Sequence, residues 1–307
     1  VDRETTLPRP TASVKRWSLN SLDIILLALG ALVLVWLYQR ASIGVQYQWQ
    51  WNEVFALLLN RRADGSMPYI FQGVFSTLRL SLWGLAIAVV FGTLLGIARQ
   101  SQCSIFRATA TLYVQLIRNI PPLVFVFIFY FFISNQLIPL LGLDAILRHN
   151  SNESNTIAHF LFGPSFLREN LLSGVLCVGL LSAAYIAEIV RSGIANIPKG
   201  QYEAAHSLGL SKWVKYRDII APQVLASITP AIAGQAISLV KDTAIVSLIS
   251  IQELTFVGSE IANSSGLIFE VWIVIGAAYL LFCSTLSFLF RRLETRALKH
   301  QKIDSIR

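Results

Sequence analysis

The chain has 307 residues, of which 54% are hydrophobic and only 14% charged. A soluble domain of this length carries roughly a quarter of its residues as charges, so this composition excludes an ordinary water-soluble fold. The net charge of +8 would suit nucleic acid, but the basic residues stand at the ends of apolar runs, where they act as topology signals. Three widely spaced cysteines and four scattered histidines form no CxxC or Cys/His pattern, which argues against a disulfide framework or a metal site.

A helix needs about 20 mostly apolar residues to cross the hydrocarbon core. Residues 22–38 form the first candidate, slightly short. Its apolar run, 24–38, is long for the h-region of a signal peptide and lacks a small-x-small site, so an uncleaved helix is expected. The second candidate is 80–98, free of charge between Arg79 and Arg99 and extendable outward to Gly73. The third is 119–143, with Pro121 and Pro122 in a first turn where missing N–H groups lose no partner. Residues 171–187 make the fourth. The fifth runs from 219 to 251 and is interrupted by Lys241 and Asp242; the sixth is 271–290.

With the N-terminus in the cytoplasm, segments 1–20, 99–111, 191–217 and 291–307 lie inside and hold 17 of the 25 Lys and Arg residues. The outer loops 39–70, 134–170 and 252–267 hold 5. This positive-inside bias predicts an all-α polytopic membrane protein with about six transmembrane helices and both termini cytoplasmic. No internal repeat is visible, which weakens a secondary-carrier reading. Six helices are also too few to enclose a solute pathway, so a pair of such units is expected.

The most informative segment reads IPKGQYEAAHSLGLSKWVKYRDIIAPQ, residues 197–223. Residues 201–208 suit a short helix, and Gly209 stands where the chain must turn with positive φ. Ser211 can cap a second short helix that carries Lys212, Lys215 and Arg217 and ends near Pro222. From spacing alone, a helix–turn–helix bracket and an ordinary amphipathic interfacial loop both fit.

The segment resembles the EAA loop of binding-protein-dependent ABC importer permeases. Glu203, Ala204, Ala205, Gly209, Ile219 and Pro222 match that pattern at its spacing, and Ala221 stands where leucine is usual. The resemblance covers about 70–297 and narrows to the polar amino-acid uptake branch. GVFSTLRLSL at 73–82, YVQLIRNIPPL at 113–123, AYIAEIVRSGIANIPKGQYEAA at 184–205 and KDTA at 241–244 carry it; Gln115 and Ala244 depart from the usual acid and serine. It implies a type I ABC importer permease fold: an N-terminal tail, first helix and outer loop over 1–70, a five-helix core over 71–297, and a tail over 298–307. The coupling loop is then about 192–222, with Gly200 among its residues. It further implies two separate ATPase subunits that hold ATP and Mg, an extracytoplasmic binding protein, a second permease, and a bacterial inner-membrane setting. The chain has no G-x-x-x-x-G-K-[ST] of its own, so neither a catalytic site nor a bound cofactor is expected in it.

Charged residues inside the spans are the remaining candidates. Lys241 and Asp242, with Thr243, either border a pathway for an amino acid's carboxylate and ammonium, or bridge to other helices, or mark a break. Arg79 either lines that pathway or snorkels outward. Arg118 and Pro121 mark a helix start at the headgroups, and Glu188 and Arg191 form either an i,i+3 ion pair or a gate. A channel or secondary carrier is the alternative function. A membrane enzyme lacks support, because the spans carry no HExxH or Ser/His/Asp cluster.

Overall fold

The computed structural model describes residues 21–44, 47–59, 67–142 and 156–304. The expected features at 1–20, 60–66, 143–155 and 305–307 lie outside them. Every regular element among the described residues is helical. The chain divides into two units at residues 49 and 50. The first contains α1 (Ser21–Gly44), whose apolar stretch Ser21–Leu37 presents exposed leucines, isoleucines and valines all round. Such a helix has no polar face to turn toward water.

The second unit starts at Gln50, and its described residues hold five helices long and apolar enough to cross a membrane. Its elements are α2 (Trp51–Leu59), α3 (Tyr69–Ala98), α4 (Ser104–Asn119), α5 (Pro122–Leu140), α6 (Thr156–Phe162), α7 (Arg168–Ala195) and α8 (Lys199–Ser207). Then come α9 (Ala221–Asp242), α10 (Leu254–Ser265) and α11 (Ile268–Asp304).

Helices α3 and α7 form the centre. Gly84, Ala88, Gly92 and Gly96 recur every four residues on α3 and are all buried. Against them α7 sets Gly179, Ala183, Ile186, Ala187 and Val190. A Cβ on Gly92 would stand 2.8 Å from the Ala183 carbonyl oxygen and 2.8 Å from Ile186 Cβ. One on Gly96 would stand 2.7 Å from Val190 Cβ and 2.8 Å from the Ala187 oxygen. Lipid offers no hydrophobic drive for helix association, so close backbone approach and dispersion must supply it. The glycine row makes that approach possible.

Polar pins fix neighbours to this pair. The Tyr113 hydroxyl on α4 donates to the Leu180 carbonyl at 2.8 Å, and Ser134 on α5 donates to Ser173 on α7 at 2.8 Å. A second apolar cluster joins Val54 and Leu58 of α2 to Val257, Ile261, Val271 and Ile275 of α10 and α11. The fully buried Glu270 accepts the Gln50 N–H there at 2.9 Å.

Three features bear most on the site, the first two of them departures from the sequence expectation. Residues 104–111, expected as cytoplasmic loop, open helix α4, which ends at Asn119 before the Ile120–Pro121 break. Its apolar residues Ala110, Val114 and Ile117 follow a one-sided helical period, which a search for unbroken apolar runs overlooks. The second coupling helix does not end at Pro222. A turn at Lys212–Val214 and a π-helical segment at Lys215–Ile220 run into α9, with Pro222 in its first turn. The widened ring of a π segment accommodates a residue that cannot donate an N–H. Finally, the fifth span changes to a 3-10 helix at Thr243–Ile249 and ends in a left-handed Ser250, φ 62°.

The α3–α7 packing is testable. Gly92→Val forces a branched side chain into the Ala183 carbonyl, and overpacking of this kind costs about 1–3 kcal/mol. The detergent-solubilised variant should unfold at clearly lower temperature than wild type in a fluorescence melting assay, with Gly92→Ala in between. Three coincident melting curves would show that the contact does not limit stability.

Candidate functional site

The segment after α7 folds into a compact bracket. Its first arm, α8, buries Ala205, half-buries Tyr202 against the main core, and leaves Glu203 and Ala204 exposed. The arm ends in a Schellman turn: Leu210 N–H donates to the Ala205 carbonyl at 3.1 Å and Gly209 N–H to that of His206 at 2.9 Å. Gly209 has φ 67°, the left-handed conformation that this turn requires at its glycine. Ser211 then accepts the Val214 N–H at 3.3 Å as the cap of the second arm.

The arms are locked by aromatic contacts. Tyr202 and Tyr216 meet edge to face with centroids 6.3 Å apart, and Lys215 Nζ lies 5.9 Å from both rings. Burial, followed by the neighbouring Tyr216, pushes the Tyr202 hydroxyl above the usual tyrosine range. Ile219 is half-buried, Pro222 and Gly200 are exposed, and nothing approaches a Cβ built on Gly200. Beside Glu203 the bracket presents Leu208 at 75% and Trp213 at 72% exposure. Large apolar residues bared next to a carboxylate on a rigid hairpin suit a protein partner.

At the C-terminal end of α3, Glu188 gathers three arginines, one each from α7, α4 and the C-cap of α3. Arg191 donates through Nε at 3.1 Å and Nη2 at 2.5 Å; Arg99 donates at 2.5 Å; Arg118 Nη1 lies at 3.4 Å. The expected i,i+3 pair of Glu188 and Arg191 is present. Arg99 was missed because it stands 89 residues away in sequence. Arg118 sits in the last turn of α4, its guanidinium 5.7 Å above the Tyr185 ring. Pro121 caps α5 just beyond.

Arg79 is placed in the first half of α3, away from the Glu188 end. Its Nε donates to the Phe160 carbonyl at 2.7 Å and its Nη2 to that of His159 at 3.1 Å, while Trp83 donates to Leu161 at 3.1 Å. These carbonyls belong to the last turn of α6, where intrahelical partners run out; that of His159 also accepts the Gly163 N–H at 2.9 Å. A cation there also meets the negative end of the helix dipole.

Lys241 and Asp242 close α9 where it turns into the 3-10 segment. Lys241 is exposed, Asp242 half-buried and Thr243 fully buried, with the Thr243 hydroxyl bonded to the Val240 carbonyl at 2.7 Å. Among the described residues neither charge forms an ion pair. Past Ser250, the fully buried Glu253 caps α10 by accepting the Phe256 N–H at 2.8 Å and takes the Tyr279 hydroxyl at 2.7 Å. Tyr279 in turn lies 3.0 Å from Thr255 Oγ1. Sequence reading passed over this cluster, although an acid directly before an apolar helical run is a capping signal.

The chain as a whole is similar to known proteins. The chain is 35% identical over 205 residues to the probable amino-acid ABC transporter permease protein YckA of Bacillus subtilis, covering 67% of this chain and 77% of the relative. It is 32% identical over 231 residues to the glutamine transport system permease protein GlnP of Escherichia coli, covering 75% and 94%. A solved structure described as an amino acid ABC transporter with histidines superposes with a TM-score of 0.59 at 29% identity, over 75% of this chain and 94% of that one. Residues 88–299, which hold α4, the bracket and both interrupted spans, match the family of binding-protein-dependent transport system inner membrane components, and the chain belongs to that family.

Proposed function

We propose that this chain is a permease subunit of an ABC importer that brings polar amino acids into a bacterial cell by alternating access. The observation that carries the proposal is the bracket. It is a two-armed element turned by a left-handed glycine and baring Glu203, Leu208 and Trp213, and the positive-inside bias puts it on the cytoplasmic side. Two ATPase subunits dock there, each holding ATP and Mg, and their closure pushes on α7 and α9 through the two arms. Gly200, Glu203, Ala204, Ala205, Gly209, Ile219 and Pro222 form the coupling element. A second permease, identical or similar, completes the pathway, and a binding protein delivers cargo from outside. The family's inner-membrane character and its similarity to amino-acid permeases support this assembly.

Lys241 and Asp242 are the pathway residues in this reading, with Thr243 buried behind them. They are intramembrane charges at a helix break, without an ion-pair partner among the described residues. Interrupted helices and unpaired charges of this kind mark substrate routes in transporters. The ammonium takes the cargo's carboxylate and the carboxylate its α-ammonium. Arg79, engaged by two carbonyls of α6, instead holds the outer rim of that route in shape.

Coupling is tested at Gly209. Nothing lies within 4 Å of a Cβ there, so a side chain acts only through the backbone, where an L-residue in the left-handed region costs about 1–2 kcal/mol. Gly209→Val should reach the membrane at normal levels yet lose ATP-driven uptake in proteoliposomes. Gly209→Asn, which tolerates this conformation better, should retain much of it. Full uptake by the valine variant would exclude the bracket as the coupling element.

The pathway is tested with Lys241→Met and Asp242→Asn in the assembled permease–ATPase complex, scored first for assembly by size-exclusion chromatography. Loss of one charge-assisted hydrogen bond corresponds to roughly 1.5–3 kcal/mol, about ten- to a hundredfold in affinity. Binding of tritiated L-glutamine or L-glutamate should weaken by that factor. Assembled variants with unchanged affinity and uptake would remove both residues from the cargo route.

A further inference from the structure

The charges around Glu188 do not balance. Three guanidinium groups converge on one carboxylate, leaving two positive charges in excess at the inner end of α3. Arg99 and Arg191 hold the closest positions at 2.5 Å, whereas Arg118 stands off at 3.4 Å with 40% of its side chain exposed. The Nε of Arg99 is buried and has no acceptor among the described residues, an expensive arrangement unless another acceptor arrives. Gln115 and Asn119 lie on the same exposed side of α4 as Arg118, at helical spacing. A polar, cation-rich stripe next to buried helices is suited to oxyanions, which arginine grips through its planar fork of donors.

We propose that Arg118, backed by Arg99 and Arg191 around Glu188, forms an oxyanion site at the cytoplasmic side of the permease. Glu188 holds Arg99 and Arg191 in place and spends its own charge on them. Arg118, 3.4 Å from Glu188 and 5.7 Å above the Tyr185 ring, is the most loosely held of the three and the one able to turn outward and grip. Two oxyanions are available at this depth. One is the phosphate of an anionic inner-leaflet lipid, which basic pockets between transmembrane helices bind. The other is the carboxylate of an amino acid leaving toward the cytoplasm, and this source rests on the transport reading given above.

The experiment compares wild type, Arg118→Gln, Arg118→Lys and Arg107→Gln as complexes with the ATPase subunits. Arg118→Gln leaves the Arg99–Glu188–Arg191 contacts intact, so folding is not at stake. Each complex is placed in phosphatidylcholine nanodiscs with or without phosphatidylglycerol. Retained phosphatidylglycerol is counted by native mass spectrometry, and tritiated L-glutamine and L-glutamate binding is measured in the phosphatidylcholine discs. Arg118→Gln should lose at least one probe by about tenfold or more, Arg118→Lys should recover part of it, and Arg107→Gln should match wild type. Loss of the lipid alone identifies a headgroup site, and loss of the amino acid alone a cargo station. A wild type that retains neither probe, or an Arg118→Gln variant that holds both as tightly as wild type, overturns the site. ATP-driven uptake by wild type in vesicles is read separately. A wild type that keeps the lipid but imports no amino acid rejects the transport reading while leaving the lipid site standing.

Discussion

The contact between α3 and α7 is the constraint on which the rest depends. Within a bilayer a helix gains little by leaving lipid for another apolar surface, so association relies on close, extended van der Waals contact. The row Gly84, Ala88, Gly92, Gly96 brings two backbones near enough for carbonyl oxygens of α7 to lie where Cβ atoms would stand. Each end of this spine then carries polar chemistry that a lone helix could not support. At the outer end Arg79 and Trp83 take the last carbonyls of α6. At the inner end Glu188 draws Arg99 of α3 and Arg118 of α4 to α7.

Around the rigid pair stand the interrupted helices. The α4–α5 break at Ile120–Pro121, the π segment inside α5, and the α9 to 3-10 transition at Asp242 each disturb the regular helical bonding. Within a membrane such disturbance is tolerated only where protein or an aqueous cavity satisfies the backbone. Here part of that work falls to side chains: Thr243 bonds the Val240 carbonyl and Ser247 bonds that of Ala244. A permease that alternates between two openings needs this combination of a stiff centre and elements with locally softened geometry. Such hinges absorb dihedral change at a few positions.

Much of this was legible in the sequence, and for physical reasons. Long apolar runs between basic ends have one explanation in water and lipid, so the five long spans were visible. Gly209 and Ser211 were readable because a left-handed turn and a helix cap each accept few residue types. The Glu188 node was half legible: Arg191 lies one turn away on the same helix, but Arg99 and Arg118 arrive through tertiary packing that spacing cannot reveal. Helix α4 was hidden because its apolar face is one-sided and its polar residues break the runs that mark a span. The glycine row of α3 was present at a four-residue interval in plain view. Hydrophobicity does not mark it, because small residues contribute little to that measure while deciding how closely two helices can meet.

The treatment of charge separates the structural from the functional residues in this protein. Buried carboxylates at Glu253 and Glu270 are met by backbone N–H groups, with a tyrosine hydroxyl added at Glu253, and each sits at a fixed junction between helices. Such groups are satisfied in one geometry and resist change. Lys241 and Asp242 differ, standing at the end of α9 without an ion-pair partner among the described residues. The arginines around Glu188 fall between these cases, paired but in excess. Because a desolvated charge is costly without a counter-charge, unbalanced sites persist only where water, a headgroup or cargo completes them. The contrast in this chain is therefore between carboxylates closed by their own helices and charges whose balance, in the reading proposed above, is completed from outside.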